Sequence, residues 1–281
     1  EIASQENMGR ISGYGWSLGY LGGLLVLAIC LAYISWAQGH GHTSAQSVPG
    51  TMLIVAAAYA LATVPTFVWL TERAKPFPGA RLRDSLPSGF RRLRRTLSEA
   101  HHFQDLNRFL VSLTIYHCGI NTVIVLAAVY AQEEMGFTSR EIIVMIMIVN
   151  LTAALGAFLF GRLHDRLGAI PVLAITLILW VVVVTGAFFV TGRNGLWIVA
   201  NLVGIAMGSS QSGGRALIGQ FSPPSRTAEF FGLWGLAVKL STVIGPMSYG
   251  IINYMTAGNH RLAILSTISF FVIGLLLLLR V

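Results

Sequence analysis

The chain has 281 residues, of which 54% are hydrophobic and only 11% charged, and its mean hydropathy is +0.70. A soluble domain carries roughly 25% charged residues, so this deficit, with apolar runs about 20 residues long, excludes an ordinary soluble domain and places the chain in a bilayer. The net charge of +8 does not indicate nucleic acid, because the basic residues concentrate in one segment beside the membrane rather than on a soluble module.

Eight spans are expected in chain order: Ile11–Ala37, Thr51–Leu70, Phe109–Ala131, Ile142–Phe160, Ile170–Thr191, Leu196–Ile218, Phe230–Tyr254 and Arg261–Leu279. Each is a helix, since lipid offers backbone groups no partner outside the segment. The turns between spans are short except for Glu72–Arg108, a polar stretch containing "GFRRLRRTLSEAHH". The expected domains are therefore 1–71 with two spans, a basic linker at 72–108, and 109–281 with six spans. Cys30 and Cys118 fall inside apolar runs without metal-type spacing.

Placing the N-terminus inside and alternating sides puts nine basic residues of the long segment inside, with Arg10, Arg162, Arg166, Arg215, Arg226 and Arg280. Only Arg140, Arg193 and Arg261 fall outside. This asymmetry predicts that both ends of the chain are cytoplasmic. It also predicts contact between the basic linker and lipid headgroups. A role for that linker in regulation or partner binding is the alternative.

The first span is dense in glycine. Gly15, Gly19 and Gly23 are spaced by four and favour close helix packing in lipid. Their spacing does not fit a dinucleotide fingerprint. In the third span His117 and Asn121 are four apart, and in the sixth Asn201, Gly204, Gly208, Gln211 and Arg215 share one helix face. Polar groups here avoid lipid. Asn201 and Gln211, like Asn121 and His117, either line a substrate path or bond between helices; for His117 bonding is the simpler reading.

The turn after the fourth span reads "GRLHDRLG", Gly161 to Gly168. Gly161 permits close helix approach, and Asp165 is placed to cap the helix that follows. Arg162 and Arg166 are placed to pair with acids on neighbouring helix ends. With Arg215, Arg226 and Glu229 of "RALIGQFSPPSRTAEFFG", these residues are expected to form a gating charge cluster; the bland alternative is screened surface pairs.

Lys239 stands nearly alone in "GLWGLAVKLSTVIGPMSYG", with no acid within nine residues. Buried near mid-membrane, a lysine costs ~2.5–3.5 kcal/mol on insertion scales. Its partner is a substrate carboxylate, an acid elsewhere in the protein, or water in a crevice. Gly245 and Pro246 are expected to loosen the helix beyond it.

Other signals fail. "GSSQSGG" does not satisfy G-x-S-x-G, and no Walker or H-E-x-x-H sequence occurs. The sequon at Asn150 lies at membrane depth, and His40 and His42 in "GHGH" sit in an outside turn. No catalytic residue, metal site or cofactor is expected, and the chain is not expected to be an enzyme.

The turn at Gly161, Asp165, Arg166 and Gly168 resembles the signature turn of the major facilitator superfamily, which lies between the second and third helix of each six-helix half; Ala169 and Ile170 depart from the usual basic residues there. The blocks "GRISGYGWSLGYLGGLL", "FFGLWGLAVKLSTVIGP" and "RLAILSTISFFVIGLLLLLRV" resemble the vacuole-effluxer-like branch, whose yeast member is associated with amino-acid export from the vacuole. The resemblance implies an all-α membrane bundle holding the last two helices of one half and a complete second half. Since the chain begins with Glu1, it also implies a chain that starts partway through a longer one, four spans short. It further implies a permease that moves a small polar metabolite, amino acids among the candidates, by alternating access with a coupling proton or cation. It would work in a cell (inner) membrane, or a vacuolar-type membrane in a eukaryote. The alternative is a polytopic scaffold or regulator that transports nothing. Oligomeric state is not legible.

Overall fold

The computed structural model describes residues 4–70, Gly89, 104–223 and 226–281. Among the described residues every regular element is helical. A short 3-10 turn at Gln5–Asn7 leads into α1 (Met8–Gly39) and α2 (Ser44–Trp69). Then follow α3 (Gln104–Met135), α4 (Ser139–Leu167), α5 (Ala169–Phe189), α6 (Arg193–Phe221), α7 (Thr227–Met255), α8 (His260–Ser266) and α9 (Ile268–Leu278). The basic linker expected at 72–108 lies outside the described residues, apart from Gly89 and the start of α3.

Local chemistry sets the boundaries. Thr138 and Glu141 form a reciprocal capping box that starts α4, and Thr43 with Gln46 does the same for α2. Gly168, at φ 91°, ends α4 and turns the chain directly into α5. The expected last span is two helices in series, broken at Thr267. There the Ser266 and Thr267 hydroxyls donate to the carbonyls of Ala263 and Ile264, competing with the helix ladder.

Seven of these helical segments, counting α8 and α9 as one, are long and apolar enough to cross a membrane. The remaining expected span, α6, is 29 residues long but more polar. Its small and polar residues, Gly204, Gly208, Ser209, Ser210 and Ser212, are buried against other helices rather than presented to lipid. Pro246 sits inside α7 without ending it.

The helices meet at small residues. α4 packs most extensively on α6 and α1. A Cβ at Gly156 of α4 would lie 2.5 Å from the Ile205 carbonyl oxygen of α6. One at Gly204 would lie 2.6 Å from the Val149 oxygen, and one at Gly208 would run into the Ala153 carbonyl. On the other side of α4, a Cβ at Gly161 would lie 2.9 Å from the Gly13 Cα of α1. Any larger side chain would force these backbones apart. α3 packs on α7 and α9, and the Trp180 ring of α5 stacks on Phe271 of α9 with centroids 5.1 Å apart. α2 packs chiefly on α1, and most of its described side chains are exposed.

Candidate functional site: a cavity between two tied ends

At one end of the bundle Asp165 reaches α1. Its Oδ1 accepts from the Gly9 N–H at 2.9 Å, and its Oδ2 accepts from the Arg10 N–H and Arg10 Nε, both at 3.1 Å. Asp165 therefore caps the first turn of α1, where unpaired N–H groups and the helix dipole favour a carboxylate. This corrects the expectation that it caps the following helix: α5 begins at Gly168 with no side-chain cap. Gly161 lies against Gly9 and Gly13 and lets the two helices close enough for this contact. His164 is buried beside Gly213 of α6.

The remaining residues of the expected cluster behave differently. Arg162 meets no carboxylate among the described residues; its guanidinium lies 3.8 Å from the Phe158 ring centroid and 5.1 Å from that of Tyr14. Arg166 and Arg215 are exposed. Arg226 stands at the start of α7, and its carbonyl accepts from the Glu229 N–H at 3.0 Å.

Inside the bundle a cavity of about 460 Å³ is lined by α1, α3, α4, α5, α6 and α8. Its wall is almost wholly apolar. Its polar side chains include Asn150 of α4, Gln211 of α6, and Trp16 and Tyr20 of α1. Asn150 donates its amide to the Ile146 carbonyl, which leaves its oxygen available. The Trp16 Nε1 and the Tyr20 hydroxyl are buried and make no hydrogen bond among the described residues. Buried donors without partners are costly and uncommon, and these two lie four residues apart on one helix at one cavity wall.

Of the residues expected in a substrate path, Gln211 lines this cavity. Asn121 donates to the Ser241 hydroxyl at 2.8 Å and ties α3 to α7. Asn201 donates to the Trp197 carbonyl of its own helix at 2.8 Å. His117 is buried against the Tyr116 ring, with centroids 5.0 Å apart. Lys239 is exposed on the face of α7 opposite Phe230, Ala237 and Ser241, among Leu236, Leu240 and Val243. No carboxylate lies within ion-pair distance of it among the described residues.

The other end of the bundle holds two ties that the sequence reading missed. Arg261 Nε meets Glu134 Oε2 at 2.8 Å, with both side chains mostly covered, and its NH1 donates to the Phe188 carbonyl at 3.3 Å. Arg193 meets Glu141 at 2.7 Å, donates to the Gly136 carbonyl and lies over Phe137. The signal was present as three basic residues and acids at span ends, but nothing in linear spacing pairs residues 127 positions apart. Trp16 and Tyr20 were hidden by the glycines around them, although their spacing of four marks one face.

The helical arrangement recurs in known proteins. A solved structure of the human organic anion transporter MFSD10 (TETRAN) is similar, with TM-score 0.66 and 16% identity over 96% of this chain and 66% of that one. The Escherichia coli fucose:proton symporter FucP aligns at TM-score 0.60 and 18% identity, over 83% of this chain and 55% of that one. Both likenesses concern the fold. In sequence, the chain is 25% identical to YxiO of Bacillus subtilis, an uncharacterized MFS-type transporter, over 99% of its own length and 64% of the relative's. It is 27% identical to autophagy-related protein 22 of Yarrowia lipolytica, over 96% of its length and 50% of that protein's. The chain thus spans about half to two thirds of these curated relatives. The family described as vacuole effluxer Atg22 like matches it from residue 2 to residue 281, and the chain belongs to that family.

Proposed function

We propose that the chain carries the moving parts of a secondary transporter that takes a small polar metabolite, amino acids among them, across a membrane by alternating access. The observation that carries this reading is the cavity held between two ion-paired ends. Asp165 with Arg10 ties α4 to α1 at one end, and Arg261 with Glu134 ties α8 to α3 at the other. Releasing the Asp165 tie frees α1 from α4 and opens the cavity to that side while the other end stays packed. In this reading α1 and α2 are the last helices of one half, and α3 to α9 form the other. Both ends of the chain face the cytoplasm, in a cell or vacuolar-type membrane, and a proton or cation is the coupling ion. Gln211, Asn150, Trp16 and Tyr20 supply hydrogen bonds to the cargo's polar part, while the apolar wall holds the rest. Lys239, which lies outside this cavity, meets a carboxylate supplied by residues beyond those described.

The test is uptake by the full-length protein in proteoliposomes, with a panel of labelled amino acids and other small metabolites, with and without an imposed proton or sodium gradient. Saturable uptake that Gln211→Ala weakens mainly through KM supports the reading. A correctly inserted protein that moves none of the panel, under any gradient, would favour a scaffold.

A further inference from the structure

A second hollow lies outside the cavity, on the surface of the bundle where α1 meets α4. It is a groove of about 490 Å³, with walls made by Tyr14, Leu18 and Leu21 on one side and Leu151, Leu155 and Phe158 on the other. All six side chains are more than a third exposed. At its Asp165 end the groove is roofed by Arg162, held over the Tyr14 and Phe158 rings. Its NH1 reaches the Phe158 carbonyl only at 3.4 Å.

We propose that this groove binds one anionic phospholipid, with an acyl chain between α1 and α4 and the phosphate on Arg162. Three features carry it. The walls are aliphatic and aromatic over two turns of each helix, which suits a hydrocarbon chain. The nearest acid in sequence, Asp165, is turned away onto Gly9 and Arg10 and does not neutralise Arg162. Arg166, one turn further along α4 and exposed, adds a second positive charge. Contact with the Phe158 and Tyr14 rings holds the Arg162 guanidinium over the groove, where its N–H groups can bond a phosphate at two points. A phospholipid supplies both the anion and the apolar body that this shape asks for; free phosphate supplies only the first. The bound lipid would bridge α1 and α4 beside the Asp165 tie.

Native mass spectrometry of the purified full-length protein, titrated with phosphatidylglycerol or phosphatidylcholine, tests this. One phosphatidylglycerol should be retained in preference to phosphatidylcholine. Arg162→Gln should lower its retention about fivefold, matching the ~1 kcal/mol that one basic residue contributes near an anionic surface. Leu18→Trp, a lipid-facing change that fills the groove and leaves Arg162 in place, should lower it comparably. Equal retention of both lipids, no effect of either variant, or displacement of the lipid by inorganic phosphate would overturn the proposal. So would a cysteine at Leu18 that cross-links to another helix of the same chain, since that helix would then occupy the groove.

Discussion

Arg10 and Asp165 stand 155 residues apart in the chain and 3.1 Å apart in the fold, Nε to Oδ2. Asp165→Asn keeps an acceptor for the Gly9 N–H and removes the charge. The expected loss is about 1 kcal/mol of stability, since an ion pair to a half-exposed arginine and a charge at a helix start each contribute at most about that much. Transport should slow while membrane abundance stays normal. Thermal unfolding in detergent, read beside uptake rate, checks both, and wild-type rates would show that this tie does not gate.

Gly208→Val should be far more damaging than its one-residue scale suggests. The new Cβ meets the Ala153 carbonyl, which is backbone and cannot swing aside. The cost should be about 1–3 kcal/mol or more, the range for overpacking a tight contact. Gly22→Ala is the control: a Cβ there meets nothing within 4 Å among the described residues. Melting temperatures of the two variants should separate clearly.

Arg261→Ala removes the partner of a largely covered Glu134 and a donor to the Phe188 carbonyl. A hydrogen bond involving a charged group is worth ~1.5–3 kcal/mol, and that is the expected loss. Arg261→Lys should recover only part, because an ammonium does not offer two donors in the guanidinium's fixed geometry. Accessibility of a single cysteine in the cavity, probed from each side of the membrane, should rise on the Arg261 side.

Lys239→Ala should leave folding intact, because none of the described ion pairs uses this side chain and it lies on the exposed face of α7. Transport should nonetheless fall to background, and Lys239→Arg should restore it incompletely, as expected if a compact charge meets a carboxylate in the working protein. Near-normal uptake by the alanine variant would remove Lys239 from the mechanism.

Every described span but α6 coincides with a run long and apolar enough to cross a membrane, because length and hydropathy are properties of the chain itself. The turn at Gly161–Gly168 was legible for the same reason: its glycines and charges are close in sequence. What Asp165 bonds was not, since the sequence offers α5 as the nearest helix start while the fold brings α1 against it. The polar face of α6 divides for a similar cause. Gly204 and Gly208 turn to α4, Gln211 to the cavity, and Asn201 to its own helix, although the four lie within about 80° of one another on an ideal helix wheel. The break at Thr267 arises from two adjacent hydroxyls, each donating three residues back, in a run that otherwise reads as continuous helix.

The glycine contacts at Gly156, Gly204 and Gly208 bring α4 and α6 backbone to backbone. Two helices so joined behave as one stiff plate, and Asn150 and Gln211 project from the two halves of it. Their separation is then a fixed ruler, the same whichever end of the bundle is open. Trp16 and Tyr20 ride on α1, which meets that plate through Gly9 and Gly13 against Gly161, the Asp165 tie, and the Ser12 hydroxyl on the Ser212 carbonyl. In the proposed transport reading, a cargo in the cavity would be measured along the plate and gripped across it by α1, the helix that the Asp165 tie holds in place.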